Sequence, residues 1–204
     1  MISRERILEA AARVYAKHGF RGATTRLIAM EAGVNEVTLF RTFGSKGALL
    51  EAVLVPHQLD HPPKPLPVDD PRDPAAELTE FVRISLEKVR EMRPLLVHSM
   101  GEIDERPEAA EFACRGRRNA HDNIIAYLRQ LQKLGMADKD LDVDAAAVML
   151  VGTVMSDAIA RSFVPEVYPP VEDAAERYVG CFLRMIGARK RKSVAAKKTR
   201  KRVA

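Results

Sequence analysis

Residues 23–54 read ATTRLIAMEAGVNEVTLFRTFGSKGALLEAVL. Thr24 offers a hydroxyl ahead of a helix that carries Leu27, Ile28, Ala29 and Ala32, and Gly33 stands where that helix stops. Asn35 offers a second cap, for a short helix ending at Phe43. Leu39 and Phe43 are four apart and so share an inward face, leaving Glu36, Val37, Thr38, Arg41 and Thr42 outward or to the side. Ala29 is small where the two helices meet, and Val34 plugs the angle beneath the Gly33 turn. The spacing is that of a helix-turn-helix. A short helix with polar, methyl-bearing and cationic side chains suits a DNA major groove.

Helical periodicity extends in both directions, and no stretch alternates like a strand. Upstream, Ile7, Leu8, Ala11, Val14, Tyr15 and His18 form one stripe, with Ser3 as cap and Gly19 as stop. Downstream, Ser45 caps a fourth helix with Leu49, Leu50, Val53 and Leu54 inward. Between Pro56 and Pro74 lie seven of the chain's 12 prolines and no glycine, which predicts a stiff connector. Asp73-Pro74 then caps and opens an amphipathic helix through Met92. Further helices are expected over 94–104, 107–134, 144–163 and 172–187, with Pro94 and Pro107 opening two of them. The expected fold is all-α with about nine helices, divided into a DNA-binding domain (1–55), a connector (56–74), a larger helical domain (75–187) and a basic tail (188–204) expected to be disordered.

Charge follows that division. Residues 1–50 hold eight Lys/Arg against four Asp/Glu, residues 51–187 hold 16 against 24, and residues 188–204 hold nine and none. Basic ends flanking an acidic body point to a polyanionic partner, with nucleic acid first. The tail reads either as auxiliary, non-specific DNA contact or as a solubilising end. The longest uninterrupted apolar run, Ala145–Val151, is far below the roughly 20 residues of a membrane span, and no signal-peptide pattern opens the chain. Cys114 and Cys181 are too few and too far apart for a disulfide framework or a zinc site. A cytoplasmic protein is expected.

The quoted stretch resembles the DNA-binding domain of the tetracycline-repressor (TetR) family through Ala29-x-x-Ala32-Gly33-Val34, Thr38-Leu39-Phe40 and Phe43-x-Ser45-Lys46, specifically over about residues 3–55. The resemblance implies an N-terminal three-helix DNA-binding domain joined by a fourth helix to a larger domain that dimerises and binds a small effector. By position it implies that Thr25 and Arg26 touch the DNA backbone, that Asn35 caps the recognition helix, and that Thr38 meets a phosphate or base edge. It likewise sets Arg41 and Thr42 near the backbone or groove and brings Lys46 to a phosphate. Phe40 stands where a tyrosine is common, and Thr42 where a histidine or tyrosine is usual. Val37 lies on the outward side, and Glu36 either faces a base amino group or points away.

In the larger domain, Met149, Gly152, Thr153, Ser156 and Ala160 put small side chains on one face of the 144–163 helix, and Tyr178, Val179, Phe182, Met185 and Ile186 form a stripe on the last helix. These are either a homodimer interface, as in the family, or intramolecular core. Met92, Leu96, Met100, Phe112, Tyr127 and Met149 are candidate walls of an effector pocket, with His98 and His121 as polar handles. His57-x3-His61 lacks the glutamate of a zincin motif, and the Asp138, Asp140, Asp142, Asp144 series has Val143 where a calcium loop needs glycine. Neither a phosphate loop nor a nucleophile elbow is present. No metal, cofactor or catalysis is expected.

The sequence therefore predicts a homodimeric, ligand-responsive transcriptional regulator, a repressor on a palindromic double-stranded operator, with no membrane partner. Two alternatives stand beside it: a non-specific architectural DNA-binding protein using its basic tail, and a helical small-molecule-binding protein with a minor DNA role.

Overall fold

The computed structural model describes residues 4–59, 65–101 and 107–189. These form eight α-helices: α1 (Arg4–Gly22), α2 (Thr25–Ala32), α3 (Glu36–Phe43), α4 (Lys46–Leu59), α5 (Pro74–Gly101), α6 (Pro107–Lys133), α7 (Val143–Ala160) and α8 (Ala174–Met185). Short 3-10 turns at Pro165–Val167 and Val171–Asp173 link the last two, and no strand occurs among the described residues. The all-α class is as expected. The helix count is one lower, because Pro94 opens nothing and lies inside α5. Met92, Leu95 and Leu96 are buried on both sides of it, so packing outweighs the one backbone hydrogen bond that a proline removes.

The first helix is interrupted at Gly19, as expected: its φ of 65° and ψ of −177° are non-helical, and a short helical turn follows to Gly22. One other boundary differs. Helix α4 runs through Pro56 to Leu59, across the boundary expected at residue 55. The described part of the connector is docked: Leu66 is buried in the larger core and its N–H donates to Asn123 Oδ1 on α6 at 2.9 Å.

Helices α1–α4 enclose a small core of Ile7, Tyr15, Ile28, Leu39 and Leu49, together with Leu95 from α5. A second core holds Leu78, Phe81, Leu128, Leu131, Leu150 and Val179 from α5 to α8. Helix α5 thus belongs to both. Its start is fixed by Asp73, whose Oδ1 accepts the N–H groups of Ala75 and Ala76 at 3.2 Å each, and by Glu77, which accepts those of Arg72 and Asp73. Glu77 also accepts a hydrogen bond from the fully buried Tyr127 hydroxyl. Burial and that carboxylate push the phenol's pKa well above the ordinary range.

Helix α7 crosses the second core. By length and composition alone it is long and apolar enough to span a membrane, with mean hydropathy 1.6 over 18 residues, which the length of uninterrupted apolar runs did not reveal. Its inward face instead carries Ala147, Leu150 and the carboxylate of Asp157, which is 0% exposed. Asp157 accepts hydrogen bonds from Arg90 Nη2 on α5 (2.8 Å), from Arg161 Nε (2.9 Å) and from the Tyr178 hydroxyl on α8 (2.6 Å). Burial opposes its charge, but the bonds from Arg161, Arg90 and Tyr178 prevail and hold its pKa at about 2.

Because that pKa lies below the unfolded value, the carboxylate's stabilisation is complete above about pH 4 and is lost as pH falls toward 2. Replacing Asp157→Ala leaves two guanidinium groups without their buried anion and should cost about 3–5 kcal/mol at pH 7 in urea unfolding. The gap between variant and parent should narrow as the pH is lowered to 2.

Candidate nucleic-acid interface and effector cavity

The turn between α2 and α3 is closed by backbone geometry. Thr24 Oγ1 accepts the Leu27 N–H at 3.2 Å, and the helix ends with the Gly33 N–H on the Met30 carbonyl (3.2 Å) and the Val34 N–H on that of Ala29 (2.9 Å). This pairing needs a left-handed residue, and Gly33 has φ 67°. Asn35 Oδ1 then accepts the Val37 N–H at 2.9 Å and starts α3, while Ser45 Oγ accepts the Ala48 N–H at 3.0 Å and starts α4. All three caps lie where their sequence spacing puts them. Leu39 is fully buried and Phe43 packs on the same core, so α3 has one possible outward face.

That face carries Val37, 70% exposed, Phe40, 45% exposed, and Arg41. These are one helical turn apart and form a ridge of methyl and aromatic carbon ended by a guanidinium. Thr38 is half-buried beside them. The Thr42 hydroxyl is turned back to the Thr38 carbonyl at 2.7 Å and spends its proton there. Glu36 neither faces outward freely nor points away: the Thr25 hydroxyl donates to its carboxylate, tying the start of α2 to the start of α3. The ammonium of Lys46 donates to the Phe20 carbonyl and lies 4.3 Å from the Phe20 ring, so it joins α4 to the end of α1. Arg26 and Arg41 are exposed and form no ion pair among the described residues.

A second feature lies in the larger domain. A cavity of about 340 Å³ opens between α5, α6 and α7. Helix α5 supplies Phe81, Val89, Met92 and Leu96, and α7 supplies Leu150, Val151 and Val154. Of the residues proposed from sequence, Met92 and Leu96 line it, and His121 lines an adjoining space shared through Arg117 and Val151. The others are elsewhere. His98 faces the Tyr15 ring at 6.2 Å, Met100 and Met149 are exposed, and Tyr127 is bound to Glu77 in the core. The side chains of Phe112, Cys114, His57 and His61 lie outside the described residues, as do Ser3 and residues 190–204. Sequence reasoning missed Ser85. The available signal was a hydroxyl on the apolar stripe that Val82, Leu86 and Val89 continue.

Helices α7 and α8 each keep a face that no described residue covers. On α7 it comprises Ala145, Val148, Met149, Gly152 and Ser156; on α8 it includes Cys181 and Met185. Val179, Phe182 and Ile186 of the expected α8 stripe are buried in the chain's own core. The Asp138–Asp144 series makes a turn and a cap, with Asp142 Oδ1 accepting the Ala145 N–H at 3.0 Å.

The family model described as "Bacterial regulatory proteins, tetR family" matches residues 7–53, the segment from α1 into α4. The family match is to this N-terminal segment, and the rest of the chain lies outside it. Over 53 residues it is 47% identical to YvkB, an HTH-type transcriptional regulator of Bacillus subtilis, and over 72 residues 38% identical to the HTH-type transcriptional repressor SCO4008 of Streptomyces coelicolor. Those alignments span 28% and 35% of the relatives and 26% and 35% of this chain. Two solved structures match in fold nearly throughout. GusR of Salmonella enterica gives TM-score 0.69 at 24% identity over 91% of this chain and 95% of that one. The TetR family transcriptional regulator PfmR of Thermus thermophilus gives 0.68 at 23% over 88% and 97%. The likeness of fold therefore extends through α8, beyond the part that sequence identity reaches.

Asn35→Ala should lower stability by about 1 kcal/mol through the lost cap. Val37→Ala, on the exposed ridge, should stay within about 0.5 kcal/mol. Thermal unfolding of the two variants checks the contrast.

Proposed function

We propose that the chain is a sequence-specific DNA-binding transcriptional regulator, a repressor that acts as a homodimer on a palindromic operator and is released by a small molecule. The observation that carries this is the exposed ridge of α3, held by Leu39 and the Asn35 cap within a tetR-family domain. Val37 and Phe40 offer carbon to base edges, Arg41 and Arg26 offer cations to bases or phosphates, and Asn35, Thr25, Thr38, Thr42 and Lys46 hold the ridge or meet the backbone. SCO4008 is a transcriptional repressor, which supports the repressor sign. Catalysis has no part in this function, and the protein works on DNA in the cytoplasm.

The uncovered faces of α7 and α8 supply the dimer contact. Two copies joined there place two α3 helices about a two-fold axis, and the dimer sets the half-site spacing. The cavity between α5, α6 and α7 receives the effector. Helix α5 carries cavity residues Met92 and Leu96 within one turn of Leu95, which is buried among α1–α4, so a ligand that reshapes the cavity displaces the DNA-binding core. A ligand that prefers the released geometry 100-fold supplies about 2.7 kcal/mol.

Selection of the full chain against random duplex DNA at near-physiological salt should enrich one palindrome. Arg41→Ala should weaken its binding by at least tenfold without unfolding the protein. Equal retention of unrelated duplexes would leave the architectural reading, with the tail as its agent. The dimer has its own check: Gly152→Arg, at a site with open space around it, should turn dimers into monomers in sedimentation while leaving the helical content unchanged.

A further inference from the structure

We infer that the cavity between α5, α6 and α7 takes an anionic amphiphile: an apolar body within the helices and a carboxylate-type head toward Lys88 and Arg117. The inference rests on the effector role proposed for this cavity and specifies its ligand. The deep wall is carbon from Phe81, Met92, Leu150 and Val154, a surface that gains from covering an apolar group and gives nothing to a charge. The charged groups that line it are Lys88 and Arg117, and none of its described lining residues is acidic. The adjoining space continues the same sign with Arg118. Among the described lining residues a cationic head would thus meet like charge and no carboxylate, whereas an anion meets guanidinium and ammonium donors.

Ser85 adds a second, independent sign of a ligand. It lines the cavity, is 8% exposed, and its hydroxyl has no hydrogen-bond partner among the described residues. A buried hydroxyl without a partner is costly, and a polar atom on a bound molecule would relieve that cost. The cavity's size, at the lower end of the roughly 300–1,000 Å³ usual for ligand sites, selects a compact molecule.

The test uses the purified full-length chain and two apolar bodies, n-octyl and 2-naphthyl, each bearing a carboxylate, an alcohol or an ammonium head. Calorimetric titration should rank carboxylate above alcohol by at least tenfold, with ammonium weakest. K88Q combined with R117Q should erase the carboxylate's advantage and leave the alcohol's affinity unchanged. S85A should weaken the carboxylate several-fold, and V154W, which fills the cavity, should abolish all binding. Each variant's circular dichroism and affinity for the selected palindrome establish that it is folded. Alcohol or ammonium binding as tightly as carboxylate, binding that survives V154W, or no binding by any of the six probes overturns the inference. DNA binding by a chain that takes no probe fails the inference alone; probe binding by a chain that selects no palindrome fails the regulator reading alone.

Discussion

The larger domain is organised around one buried carboxylate. Asp157 lies where α5, α7 and α8 converge, and its partners are Arg90 on α5, Arg161 just past the end of α7, and Tyr178 on α8. Apolar packing alone would let these helices slide along one another, because dispersion and area burial have little directional preference. Fixed donor and acceptor positions remove that freedom. Arg161 also donates to the Pro169 carbonyl at 2.6 Å and Arg93 to that of Ile159 at 3.0 Å, so the end of α7 and the loop after it are pinned to the same place. The register of α7 against α5 sets which α7 side chains face inward. It therefore fixes both the wall of the cavity and the face left outside.

Helix α5 converts that arrangement into a connection between domains. Its first two-thirds lie in the larger core and its last turns pack against Tyr15 and the rest of the smaller one. A change on one side reaches the other through a continuous helix and needs no chain of side-chain rearrangements. The α1–α4 body in turn is tied across its seams by polar contacts at the helix ends: Thr25 to Glu36, Lys46 to the Phe20 carbonyl, and Arg13 to Glu31 at 3.0 Å. These contacts join α1–α4 to one another.

Legibility followed the range of the interaction. Thr24, Asn35 and Ser45 cap helices by bonds to residues two or three ahead, so their spacing in sequence contains the whole interaction. Leu39 and Phe43 show their face in the same way. The cavity depended on residues drawn from α5, α6 and α7, far apart in the chain, and of the proposed walls and handles that the structure describes only Met92, Leu96 and His121 reach it or its neighbour. Pro94 shows the opposite limit. A local rule placed a helix start there, and the buried residues on both sides overrode it. Asp157 gave no local sign of its role, since its three partners lie four, 21 and 67 positions away.

That proline has a mechanical side. A proline has no N–H to give, so the carbonyl one turn earlier, on Arg90, has no intrahelical donor. The same Arg90 side chain is committed to Asp157. The turn of α5 that lacks a backbone hydrogen bond thus sits at the seam between the two cores, beside the bond that holds Arg90 to Asp157, and a bend of α5 would fall there. A stiff lever clamped next to its fulcrum gives large displacement at the far arm for a small deformation at the near one.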